Sequence, residues 1–176
     1  MTASKPRTLV VALAIALLGL LAIAGVSQGA AVTGTFEFSE TFSTPVDLTD
    51  TCLGAGASGT LTHTATTVGR FTANAVFGFE DHQTTTDDTR AEFVDGRSVV
   101  GTIVTRRTDN ATHRDQLITT QAAYGTGTLY GSAGQPLGAV NIHELFHLSF
   151  RDANGNHQPD AGEITASVDR FELACS

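Results

Sequence analysis

Hydrophobic and polar residues alternate along most of the chain after its first thirty residues. In residues 35–42, the phenylalanines at 36, 38 and 42 share one side with Glu40, and Thr, Glu and Ser take the other. A period of two residues is typical of a strand with one buried face. The same period recurs in residues 60–68 and, over a longer stretch, in residues 71–81. These segments are predicted to be β-strands.

Turn-forming residues divide the pattern into about eight strands. Gly69 and Asp87-Asp88 are expected to end strands, and Asp95-Gly96 is a signal for a type I′ hairpin. Another turn is predicted at residues 109–112. Two glycines interrupt residues 113–130 and indicate either a bulge or two shorter strands. No segment after residue 30 has a convincing helical period.

Strands in hairpin succession predict an all-β domain, because an antiparallel meander of about eight strands can close and bury its edges. We expect a single antiparallel barrel of the calycin-like kind over residues 31–176, with a β-sandwich as the alternative. No domain boundary is apparent within this range.

The first thirty residues have the order of a secretory signal peptide. Lys5 and Arg7 precede an apolar run at residues 9–24, and small residues follow at 25–31. The apolar run is shorter than the roughly 20 residues that a membrane-spanning helix needs. We therefore expect cleavage after Ala30 or Ala31, and a secreted protein with no membrane anchor.

The charge of the chain limits its partners. It has ten basic and 18 acidic residues, and the predicted signal contains two of the basic residues and none of the acidic ones. The mature protein therefore has a net charge of −10. An acidic surface repels phosphate groups, which argues against nucleic acid or an anionic membrane as the partner.

The chain has two cysteines, Cys52 and Cys175. An isolated pair in an exported protein predicts a disulfide. Closing so long a loop can stabilise the fold by up to about 5 kcal/mol in the chain-entropy model.

His143-Glu144-Leu-Phe-His147 has the H-E-x-x-H pattern of zinc metalloproteases. In a helix, both histidines would reach one Zn²⁺ and Glu144 would activate its water. In a strand, four residues at about 3.3 Å each would hold the histidines about 13 Å apart. The segment is short, its surroundings are β-like and the usual downstream zinc ligands are missing. We therefore predict a strand, in which Glu144 is the one carboxylate on an otherwise apolar side.

The loop at residues 152–163 carries oxygen-bearing side chains at the spacing of a calcium-binding loop. His157 and Pro159 depart from that pattern, and a polar hairpin loop would use the same residue types. Structural calcium is therefore a hypothesis. Its predicted ligands are Asp152, Asn154, Asn156, Asp160 and Glu163.

The last forty or so residues resemble a group of uncharacterised exported bacterial proteins. The resemblance rests on His143–His147, a polar hairpin, the Asp169-Arg-Phe171 segment and Cys175. The longer turn at residues 152–163 departs from that group. The resemblance implies no activity, and it supports a strand at the histidine motif.

Three functions follow as hypotheses, and the sequence leaves enzymatic activity uncertain but less expected than binding. The first is a non-enzymatic binding protein for a small apolar or amphipathic ligand, with phenylalanines at 36, 38, 42, 71, 77 and 79 inside the barrel. The second is a zinc-dependent hydrolase that uses His143, Glu144 and His147. The third is a structural or interaction module of the cell exterior. The sequence does not predict an oligomeric state.

Overall fold

The computed structural model describes residues 31–74, 78–112, 116–153 and 162–176, and the predicted signal peptide lies outside these ranges. The predicted all-β class is confirmed. Over the described ranges, no helix is long and apolar enough to cross a membrane. The strands are β1 (Ala31–Asp47), β2 (Ser58–Asn74), β3 (Gly78–Phe93), β4 (Ser98–Thr112), β5 (Gln116–Tyr130), β6 (Pro136–Arg151) and β7 (Ile164–Cys175).

The seven strands form one sheet in chain order, and each strand is antiparallel to the one before it. About eight strands were predicted, and the sheet does not close into a barrel within the described residues. The odd number has a direct consequence. β1 and β7 run in the same direction, so the meander cannot be closed by an antiparallel pair between its own edges.

Two turn predictions were wrong because cross-strand contacts hold turn-forming residues within strands. Gly69 lies in the middle of β2 opposite Phe36. A Cβ atom at Gly69 would lie within 2.3 Å of the Phe36 ring, so the ring covers the bare backbone. Asp87 and Asp88 lie within β3, where the Asp87 carboxylate contacts His63 at 2.5 Å. The single strand predicted at residues 71–81 is also wrong, because Phe71 and Ala73 belong to β2 and pair with Asp81 and Phe79 of β3.

The hairpin predicted at Asp95-Gly96 is confirmed, since these residues join β3 to β4 and Gly96 has a φ of 86°. The two-residue type I′ turn is not what closes it, because the Phe93 amide donates to the Arg97 carbonyl at 2.9 Å across a loop of three residues. Residues 109–112 belong to β4, so the turn predicted there is wrong. β5 is one strand that runs through both of its glycines. Gly101 faces Gly127 across β4 and β5, where a Cβ at Gly101 would lie 2.3 Å from a backbone oxygen. Glycine is needed for this close approach of two backbones.

The strand register sorts side chains onto two faces, because residues directly opposite each other share a face. The face that carries Phe42 and Val140 is named the inner face, and it contains most of the buried residues. Of the ten phenylalanines, Phe77 lies outside the described residues and the other nine are on the inner face. The opposite, outer face is rich in threonine and serine.

The hydrophobic core lies on the inner face at one end of the sheet. All seven strands contribute to it, together with Leu53 and Ala57 from the loop after β1. The sheet therefore curls around this end, and burial of each large apolar side chain contributes about 1.5–3 kcal/mol. The strand residues of the core are Val46, Leu61, Ala91, Phe93, Val99, Leu129, Val140, Ile142 and Leu173.

Covalent and polar contacts fasten the same end. Cys52 and Cys175 lie at bonding distance, with 2.05 Å between sulfur atoms and 6.0 Å between Cα atoms. This bond ties the loop after β1 to the end of β7, and so joins the two edges of the sheet at one end. Arg97 also donates hydrogen bonds to the carbonyl oxygens of Leu53 (2.8 Å) and Ala55 (3.0 Å).

Candidate functional site

The histidine motif lies within β6, so the predicted strand is confirmed. His143 and His147 are on the outer face, where His143 stacks on Tyr124 at 4.7 Å and the His147 Nδ1 lies 3.0 Å from the Thr120 hydroxyl. Glu144 faces the opposite side of the sheet. In a strand, residues four apart are separated by about 13 Å. This geometry does not assemble the zinc site of a metalloprotease.

The predicted calcium ligands are only partly within the described residues. Over the described ranges, no group of three His, Cys, Asp or Glu side chains is arranged to hold a metal ion. Asp152 is buried, and the Glu163 Oε1 accepts a hydrogen bond of 2.9 Å from the Ala153 amide. Glu163 therefore already links the two ends of the loop. The remaining predicted ligands, Asn154, Asn156 and Asp160, lie outside the described residues.

Two carboxylates and two phenylalanines form a square on the inner face between β6 and β7. Glu144 lies directly opposite Phe171, and Phe146 lies directly opposite Asp169. The two carboxylates occupy one diagonal of the square and the two rings occupy the other. Residues on such a diagonal are about 7–8 Å apart at the backbone, within reach of longer side chains. We name these four residues the carboxylate–phenylalanine square.

The square combines partial burial with negative charge. Burial of Glu144 raises the pKa of its carboxyl group, and the neighbouring Asp169 carboxylate raises that pKa further. Among the described residues, neither carboxylate forms an ion pair with an arginine or a histidine. Arg170 follows Asp169 in the chain, but it points to the outer face. Two carboxylates therefore share this site, and no cationic side chain among the described residues neutralises them.

The square is also accessible. Phe171 is 44% exposed, and Asp169 beside it is exposed as well. β7 is an edge strand, so no further strand of the sheet covers this side. The square is therefore a negatively charged site with apolar side chains beside it, and it is open to the solvent.

A second acidic cluster lies on the inner face of β3 and β4. Asp81 is only 1% exposed, and burial raises the pKa of its carboxyl group, whereas a hydrogen bond from Gln83 lowers that pKa. The Oδ1 atom of Asp81 has no hydrogen-bond partner among the described residues. The neighbouring Asp109 accepts hydrogen bonds of 2.7 Å from Arg107 and from Thr119. Burial closes Asp81 to ligands, and the hydrogen bonds from Arg107 and Thr119 occupy the carboxylate of Asp109.

His63 of β2 and Asp87 of β3 form a buried pair on the inner face. The His63 Nδ1 lies 2.5 Å from the Asp87 carboxylate, and the Phe42 ring stacks on the imidazole at 4.5 Å. Both side chains are almost fully covered. The pair is therefore a structural element of the sheet and is not exposed to substrate.

Two of the phenylalanines that were expected to line the interior, Phe36 and Phe71, cover their own sheet. The Phe36 ring of β1 lies over Gly69 of β2, and the Phe71 ring of β2 lies over Gly34 of β1. Two open grooves are lined mainly by outer-face side chains, with volumes of about 670 and 490 Å³. Of the features described, the carboxylate–phenylalanine square is the inner-face site that is both charged and accessible.

Comparisons of the chain with family models, with curated proteins and with solved structures gave no match. The resemblance to exported bacterial proteins therefore stays a prediction, and the function has to be argued from the site alone.

Proposed function

We propose that this is a secreted, non-enzymatic binding protein whose ligand is amphipathic and carries a positive charge. The carboxylate–phenylalanine square is the observation that carries the proposal. Glu144 and Asp169 supply negative charge without a protein cation, and Phe146 and Phe171 supply apolar walls on either side.

The chemistry of the square favours an ammonium or guanidinium group. Carboxylates that share a site repel each other, and a cation placed between them removes the repulsion. The face of a phenylalanine ring also attracts a cation, by about 0.5–1 kcal/mol at an exposed site. An alkyl chain attached to the cation would lie against Phe171, which is 44% exposed, and remove apolar surface from water.

Secretion belongs to the same proposal and has its own test. The predicted signal at residues 1–30, the bonded cysteine pair and the acidic mature chain support it. Intact mass measurement of protein recovered from the culture medium should give a chain that begins at Ala31 or Val32. A cell-associated chain that retains residues 1–30 would contradict secretion.

Isothermal titration calorimetry with decylammonium, below its micelle concentration, tests the ligand class. We expect saturable binding that weakens with salt, and weaker or undetectable binding of decyl sulfate. The Glu144→Gln/Asp169→Asn double variant should lose at least about tenfold in affinity, or about 1.4 kcal/mol. Glu172→Gln on the outer face of β7 is the matched control and should bind as the unmodified protein does.

Three results would overturn the proposal. Equal binding of decylammonium and decyl sulfate would show that only apolar contact matters. A folded double variant with unchanged affinity would place the ligand elsewhere. Complete absence of binding to either amphiphile would favour the structural or interaction module of the cell exterior.

A further inference from the structure

The two edges of the sheet are long and run in the same direction. β1 has 17 residues and β7 has 12, and within the described residues each pairs with one neighbour only. An unpaired edge presents a row of free backbone donors and acceptors, which proteins usually block with lysine, proline or a covering segment. Neither strand contains lysine, and the proline at position 45 stands near the end of β1. Both edges are therefore competent to pair.

Closing the meander across the opening between β1 and β7 needs an odd number of added strands, of which one is the smallest. Because β1 and β7 are parallel to each other, a single added strand can be antiparallel to both of them. The sheet would then have eight strands, an even number, as an antiparallel meander needs in order to close with alternating directions. The Cys52–Cys175 bond already joins the two edges at one end of this opening.

The charge around the opening indicates what kind of strand fits. β1 contains Glu37, Glu40 and Asp47 and no basic residue. On β7, Asp169 faces inward beside Glu144, and the one arginine of that strand faces outward. A second copy of this chain would bring the same acidic edges together, and like charges on paired strands are destabilising. The complementary partner is basic.

We propose that the opening between β1 and β7 takes up an extended basic peptide from another protein as an eighth strand. Backbone hydrogen bonds to both edges would supply affinity, as in other cases of strand addition. Alternate arginine or lysine side chains would point inward to Glu40, Glu144 and Asp169. This inference rests on the proposed function, since the cation of the amphipathic ligand becomes a side chain of the added strand.

The test uses the full mature protein and a synthetic peptide of roughly ten alternating arginine and valine residues, capped at both ends, which is long enough for a strand. The first control is the same peptide with N-methylated backbone amides, which keeps the charges and removes the hydrogen-bond donors. The second control alternates glutamate and valine. Binding is measured by calorimetry, and amide hydrogen exchange shows where the peptide lies.

We expect the arginine–valine peptide to bind and to slow exchange at amides of both β1 and β7. N-methylation should weaken binding by at least about tenfold, since each lost hydrogen bond is worth about 1 kcal/mol. The peptide should also displace decylammonium, and the glutamate–valine peptide should not bind.

Each other outcome decides against the inference in a distinguishable way. If decylammonium binds and the peptide does not, the added strand is excluded while the proposed function stands. If neither binds, both fail. Peptide binding without protection of the edge amides would be simple charge attraction. If the amides of β1 and β7 exchange slowly without any peptide, and sedimentation analysis shows a dimer, the opening is occupied by a second copy of this chain.

Discussion

Glu144 and Asp169 are diagonal neighbours on the inner face of β6 and β7, and the described protein supplies no cation to either carboxylate. Phe146 and Phe171 complete the square around them. The arrangement places repulsion at an edge of the sheet, directly beside the core residues Ile142 and Leu173 on the same two strands.

The raised pKa of Glu144 predicts how stability depends on pH. The folded protein holds this proton more tightly than the unfolded chain, in which the pKa is close to 4.5. The free energy of unfolding therefore falls as pH rises from about 4.5 through the folded pKa, and the loss is complete above it. Glu144→Gln cannot ionise, so it should melt a few degrees higher than the unmodified protein at about pH 7 and show little difference at about pH 3.

Thermal melts of Glu144→Gln and of Glu172→Gln over a pH series provide the check. Glu172 lies on the outer face of the neighbouring strand, where no stabilisation is expected from the same change. A Glu144→Gln variant that is less stable than the unmodified protein at neutral pH would show that the carboxylate has a protein partner.

Removing the disulfide should loosen the end of the sheet that carries the core. The bond spans 123 residues of sequence and joins β7 to the loop that supplies Leu53. We expect Cys52→Ser/Cys175→Ser to lose about 2–5 kcal/mol of unfolding free energy in urea titrations. The unmodified protein in excess reductant should behave like the double variant. Equal stability of the oxidised protein and the double variant would contradict the role given to this bond.

His63→Ala should be strongly destabilising because it leaves the Asp87 carboxylate buried without its partner. The contact is 2.5 Å long, and the second oxygen of Asp87 has no hydrogen-bond partner among the described residues. Breaking one side of a buried pair typically costs about 3–5 kcal/mol. The exposed pair of His82 and Glu80 is the matched control, and His82→Ala should change stability by less than about 1 kcal/mol. Similar losses of unfolding free energy in the two variants would show that the buried pair contributes no more to stability than the exposed one.

The calcium hypothesis predicts a chelator effect. If Asp152, Glu163 and the loop between them hold Ca²⁺, a chelator should lower the melting temperature and added calcium should restore it. Asp152→Asn should abolish the response to calcium. An unchanged melting temperature after chelation would remove the hypothesis and leave the loop as a polar hairpin.

The alternation of hydrophobic and polar residues predicted much of the fold, because a strand has a period of two residues whichever strand it pairs with. It predicted the all-β class, the strand at His143–His147 and the hairpin at Asp95-Gly96, and the cysteine pair predicted the link between the loop after β1 and the end of β7. Strand ends were harder to predict. Gly69 and Asp87 are turn-formers by local preference, and a ring from β1 and an imidazole from β2 hold them inside strands.

The site was only half visible in the sequence. The sequence predicted that Glu144 is a carboxylate on an apolar side of a strand, and the structure confirms its place on the inner face of β6. Its relation to Asp169 was not visible, because it depends on the register of β6 against β7. That register shifts between Ser149 and Phe150. A bulge of this kind moves every later pair by one residue and leaves no clear mark in the sequence.

Amide NMR spectra recorded during a decylammonium titration test the central claim most directly, because they show where the ligand lies. The account predicts shift changes that begin at Phe146 and Phe171, saturate with the ligand and disappear in Glu144→Gln/Asp169→Asn. Shift changes confined to the exposed aromatic pair of Tyr124 and His143 on the outer face, or no changes at all, would contradict it.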